Sequence, residues 1–279
     1  MDVKKLVVIV ILLGLLFLVA FQFKPVAHLG KALVTNPSYV NKPGLTIKSR
    51  VKIPEGFSRE PYPKGSFQEY IRNYALKPFG AKVINYDGSL YFNQIGHIGV
   101  LELSVPNGLQ QCADALIRLR SEYLWSINQK DKIGFNFTSG DYCSWEQYAK
   151  GYRPKLNGDR VTFHKIAKVD RSKANFYRYL NLIYMYAGTL SLYHEMPKIT
   201  DIHRLQVGDM LIVGGSPGHV VMIADVITNG HGDKRFLLLQ GEYASTECTC
   251  AQKLRKSLAV PLVYLGTAFK SRYSSLYIL

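Results

Sequence analysis

Gly208-Asp209-Met210-Leu211-Ile212-Val213-Gly214-Gly215-Ser216-Pro217-Gly218-His219-Val220 opens a part of the chain in which short apolar runs alternate with glycine-rich turns. The runs are 209–213, 220–227 and 236–239. Aliphatic and β-branched segments of this length, punctuated by Gly and Pro, predict strands joined as an antiparallel meander. Upstream the period changes to that of a helix. Residues 66–76 place Phe67, Tyr70, Ile71 and Tyr74 on one face behind a capping Ser66, with Pro78 as the stop. Residues 109–127 repeat the pattern through Leu109, Ala113, Leu116, Ile117, Tyr123 and Leu124, with Asn107-Gly108 as the start signal and Cys112 in the first turn. Residues 172–196 form the longest helical pattern, and a further helix carries Trp145 and Tyr148. Strands are expected at 81–86, 97–105, 134–137 and 161–167. Helices followed by a sheet imply an α+β domain.

The amino end has a different character. Lys4 and Lys5 precede an apolar run, 6–23, whose one amide side chain is Gln22. That is about the length that spans a bilayer. The run lacks the small-residue cleavage pattern of a signal peptide, and no cysteine follows it for acylation. It is therefore expected to be an uncleaved anchor, with the lysines inside and the bulk of the chain on the extracytoplasmic (periplasmic) side of the inner membrane. Residues 24–62, rich in Pro and Lys, read as a tether, with the folded part beginning near Gly65. No internal repeat is visible, so 63–240 is taken as one domain. The formal charge of +15 fits anionic lipid headgroups or wall polymers. Nucleic acid is not expected, because no groove-reading motif accompanies the charge.

Chemistry is most concentrated in Cys112, at a helix amino end, and His219, opening a strand. A thiol becomes a strong nucleophile on ionising, which exposed N–H groups, the helix dipole and a neighbouring imidazolium all favour. Gln240, closing the next β run, is the expected orienter of the ring across the sheet. Asp225 lies on the same strand as His219 but about 20 Å further along. The backbone N–H groups at the Cys112 helix end would hold an oxyanion. Thr138, Ser139 and Asp141, in a polar loop, and Trp145 just after it are the candidate substrate contacts. Asp114 reads as compensation of the helix dipole, and Arg118 as the ion-pair partner of Glu122. His164, His194, His203 and His231 have no metal-ligand spacing, so neither metal nor cofactor is expected.

Several of these segments occur together and in order: 109–115 with Cys112, Phe135-Asn136-Phe137-Thr138-Ser139-Gly140, Gly151-Tyr152-Arg153-Pro154, Tyr186-Ala187-Gly188-Thr189-Leu190-Ser191-Leu192 and Gly214-Gly215-Ser216-Pro217-Gly218-His219. Over 53–240 the chain thereby resembles an uncharacterised bacterial envelope-protein family, the domain of unknown function 4846. The resemblance implies an exported protein and carries no activity. A looser resemblance is to papain-like cell-wall amidases, whose Cys opens a helix and whose His opens a strand after a Gly-Asp turn. It implies a nucleophile-bearing helix packed on an antiparallel sheet. The Asp-Cys-Ser context of those enzymes is absent around Cys112. Two functions stay open: a thiol-dependent amide hydrolase acting on envelope (cell-wall) peptides, with peptidoglycan peptides as partner, and a non-catalytic envelope scaffold or ligand-binding protein.

The family resemblance also implies a continuation after Gln240 that this chain lacks. Relatives read Met-Pro-Ala-Gln where Tyr243-Ala244-Ser245-Thr246-Glu247-Cys248-Thr249-Cys250 stands here. Back-translation permits codons that a one-base shift would turn into the relatives' segment, so 241–279 is expected to be an atypical tail arising from a frameshift. On that reading Cys248 and Cys250 are accidental, and no disulfide framework is expected.

Overall fold

The computed structural model describes residues 39–84, 89–91, 94, 97–103, 111–158, 160–215 and 218–241, together with the backbone of 262–265 and 276–277. The expected anchor at 6–23 lies outside the described residues, as do Cys248 and Cys250. Among the described residues no helix is long and apolar enough to cross a membrane.

In chain order the helices are α1 (Ile47–Arg50), α2 (Phe67–Arg72), α3 (Cys112–Ser126), α4 (Trp145–Ala149), α5 (Lys173–Tyr186) and α6 (Thr189–Glu195). The strands are β1 (Phe57–Arg59), β2 (Gly134–Asn136), β3 (Tyr142–Ser144), β4 (Tyr152–Asn157), β5 (Arg160–Lys165), β6 (Lys198–Ile199), β7 (Met210–Val213), β8 (His219–Asn229), β9 (Lys234–Gln240), β10 (Leu262–Leu265) and β11 (Leu276–Tyr277). The fold is α+β with antiparallel sheets. The main sheet runs β10-β9-β8-β7-β11-β6, and β1 pairs with β8. The predicted meander is thus β7-β8-β9, and β2-β3 and β4-β5 form separate hairpins.

β8 is the axis of the molecule. Its first half pairs with β7, its last three residues pair with β1, and β9 follows it on the other side. Every residue from Val220 to Ile227 is buried, as expected of a strand covered on both faces. α1, α2 and α3 all touch it. A register shift between Ile223 and Asp225 breaks the strict alternation of side chains. Asp225 is thereby turned to Arg59 Nε at 2.6 Å and Arg72 Nε at 2.5 Å. It serves these two guanidinium groups and does not orient His219.

Residues 39–62, expected as a tether, are part of the folded body. Ile47 and Arg50 are fully buried, and Arg50 donates to the carbonyls of Gly44, Lys77 and Ile98. The helix at 66–76 has the expected Ser66 cap, whose Oγ accepts from Glu69 N–H at 3.2 Å, but it ends at Arg72. Of the strands expected at 81–86 and 97–105, residues 85–86 and 104–105 lie outside the described residues, and the described parts carry the isolated bridges Ile84↔Leu90 and Leu76↔Leu101. The long helix at 172–196 is two helices. The Tyr186 carbonyl accepts both the N–H and the hydroxyl of Thr138, at 2.8 and 3.0 Å, and Ala187 and Gly188 adopt extended backbone. A loop on another element has taken the acceptor that a continuous helix would need.

Candidate functional site

α3 starts at Cys112 itself, three residues later than the periodicity suggested. Gln111 is the cap, and its N–H donates to Asp114 Oδ2 at 2.7 Å. Asp114 therefore closes the first turn as the N3 residue of a capping box does. Further along, Arg118 pairs with Glu122 at 2.8 Å, and Glu122 also accepts from the Tyr177 hydroxyl at 2.9 Å. Arg118 is thus a structural ion-pair residue.

The start of α3 sits directly on the end of β9. A Cβ added at Gly241 would lie 2.9 Å from Cys112 Cα and 3.3 Å from its backbone nitrogen. Only a residue without a side chain allows this approach. The neighbour of Gly241 is Gln240, whose Oε1 lies 3.2 Å from His219 Nε2. Gln240 is opposite Val221, so His219 is its diagonal neighbour across the antiparallel pair. An amide oxygen only accepts, so Nε2 is the donor in this contact. Cys112, His219 and Gln240 thus belong to one neighbourhood. His219 and Gln240 are half-buried, whereas Cys112 is 1 % exposed and part of the hydrophobic core.

Two further groups shape this neighbourhood and were not singled out in the sequence. A Cβ on Gly218 would collide with Thr189 Oγ1, and one on Gly214 would come within 2.8 Å of Tyr193 Cβ. Thr189 donates its hydroxyl to Gly215 O at 3.3 Å. α6 is therefore seated on the glycine loop that delivers His219. Nothing local in the sequence marks Thr189 or Gly241, because their roles come from contacts with distant segments.

The expected substrate contacts divide. Thr138, Ser139 and Asp141 lie in the tip of the β2–β3 hairpin, the first two exposed and Asp141 half-buried, with Ser139 Oγ–H donating to Asp141 Oδ2 at 2.8 Å. Through Tyr186 the tip is tied to the chain just before Thr189. Trp145 is a correction. It is 1 % exposed and packs against Trp125, Tyr148, Phe176 and Tyr179, so it supports the hairpin from beneath and faces no cleft. Glu195, also unremarked in the sequence, meets the hairpin at Asn136, the β2 residue next to the tip. Burial pushes its carboxyl up, and the Asn136 N–H at 3.3 Å partly offsets this.

Cys143, the other described cysteine, is buried and not bonded to Cys112, and burial pushes its thiol up to about 12. No group of three or more metal-ligating side chains occurs among the described residues.

Residues 47–262 match the family described as a domain of unknown function (4846). The chain belongs to that family. The match includes α1 and β1 at one end and continues past Gln240 at the other, so it spans the whole neighbourhood of Cys112, His219 and Gln240. No curated protein and no solved structure matches the chain.

Proposed function

We propose that this member of the 4846 family is a thiol-dependent amide hydrolase of papain-like arrangement, in which Cys112 attacks, His219 moves the proton and Gln240 holds the ring. The observation that carries the reading is the contact pair where β8 begins and β9 ends: Gln240 Oε1 on His219 Nε2, and Gly241 against Cys112. With Nε2–H committed to Gln240, Nδ1 takes the thiol proton as Sγ bonds to the substrate carbonyl carbon. The same nitrogen then gives that proton to the departing amine as the C–N bond breaks. Water, deprotonated by Nδ1, releases the acid and regenerates the thiol. N–H groups at the start of α3 face the developing oxyanion. Thr138, Ser139 and Asp141 border the substrate path.

The proposed setting is the extracytoplasmic face of the inner membrane, with wall peptides as substrate. Its support is the apolar run at 6–23 and the charge of +15, and nucleic acid has no part in it. A second reading, a non-catalytic scaffold or ligand-binding protein, is favoured by one observation, the 1 % exposure of Cys112.

The deciding measurement is the pH dependence of Cys112 alkylation in the full-length chain, resolved by peptide mass, beside His219→Ala. Reaction persisting well below the ordinary thiol pKa of about 8.5, and lost in His219→Ala, is the expected result. Slow reaction in both proteins overturns the hydrolase and leaves the binding reading.

A further inference from the structure

At the far end of α3 from Cys112 lies an open groove of about 310 Å³, bordered by Phe67, Arg120, Tyr123, Lys132 and the turn from Gln206 to Asp209. Arg120 and Cys112 are eight residues apart on the helix, so the groove starts about 12 Å from the thiol. It is separate from the site described above. Two charged groups in it are incompletely used. Asp209 is 1 % exposed. Its Oδ2 accepts from Gln206 N–H at 2.9 Å, while its Oδ1 is buried with no hydrogen-bond partner. A buried carboxylate oxygen without a donor is costly and rare in folded proteins. Arg120 is held over Phe67 and Tyr123, 4.9 and 5.5 Å from the ring centroids. Stacking uses the flat face of the guanidinium and leaves its N–H edge available. No carboxylate pairs with it among the described residues.

A cation with no carboxylate partner and a carboxylate whose Oδ1 has no donor, its one charged neighbour being Lys234, which is already paired with Glu60, border one groove without pairing with each other. We infer that the groove binds a small zwitterion of the α-amino-acid class, with its carboxylate on Arg120 and its ammonium on Asp209 Oδ1. A guanidinium edge matches a carboxylate through two parallel hydrogen bonds. An ammonium supplies the donor that Oδ1 lacks and adds to the counter-charge of Lys234. Lys132, exposed at the rim, adds attraction for the carboxylate end. The volume is at the small end of ligand sites, suited to a free amino acid or a dipeptide. The inference does not depend on the hydrolase reading.

The test is ligand-observed NMR and thermal melting of the full-length chain with free α-amino acids and dipeptides. Each is compared with its N-acetyl derivative, which lacks the ammonium, and its α-amide, which lacks the carboxylate. Binding by at least one zwitterion, weakened tenfold or more in both derivatives, is the expected result, and it needs no variant to fold. Arg120→Gln should discriminate against the parent acid and lose its preference over the α-amide. Failure of every zwitterion to bind, or equal binding of the blocked derivatives, overturns the proposal. Neither outcome bears on Cys112 alkylation.

Discussion

Asp225 carries two guanidinium groups, so removing its carboxylate leaves Arg59 and Arg72 without their counter-charge at a nearly dry position. Asp225→Ala should destabilise the protein by about 3–5 kcal/mol, measured by urea denaturation. Trp145→Ala should cost a similar amount, about 3–5 kcal/mol, with little effect on ligand contacts, because the ring lies in the core. Asp209 gives a pH signature. Burial raises its carboxyl from 3.8 to about 6, partly opposed by the Gln206 N–H and by Lys234. A folded-state value above the unfolded one means that folding favours the protonated form. The contribution is complete below about pH 4 and is lost as pH rises through about 6, by at most about 3 kcal/mol. Asp209→Asn should flatten that slope in denaturation curves taken between pH 4 and 7.5.

Among the elements, α3 depends on its cap. Asp114→Ala removes the acceptor of the Gln111 N–H and should cost about 1 kcal/mol. The first turn should then fray, detected as faster amide exchange at the residues following Cys112. How far the elements could be read from the sequence follows from their physics. The β7-β8-β9 meander was legible because long apolar runs between glycine turns have few other uses. β1 was not, because Phe57-Ser58-Arg59 is too short to show a period and becomes a strand only against β8. β4 contains Pro154 and charged residues and is partly exposed, so it carries no apolar alternation. The unbroken helical period at 172–196 concealed a break imposed by Thr138, a residue on another element. The contact of Gln240 with His219 was legible because one residue closes a strand and the other opens its neighbour. Trp145 was misjudged because an aromatic residue after a polar loop is equally compatible with a cleft and a core.

Over the whole molecule, the first described segment is bound to the sheet that ends the meander. A chain starting at residue 65 lacks Arg50, Arg59 and β1 and should lose its cooperative thermal transition, whereas one starting at residue 39 should keep it. Circular dichroism melting distinguishes the two. β8 is the meeting place: its start presents His219, its bulge holds Asp225, and its end receives β1.

That arrangement sets a schedule. Arg59 and Arg72 precede their shared carboxylate by 166 and 153 residues. At ordinary synthesis rates the delay is roughly ten to thirty seconds. Throughout it, the early segment has a basic, unpaired edge and no template on which to pair. The last-made third of the domain therefore decides when the first-made part can settle, and a helper that holds the growing chain must tolerate positive charge for that long.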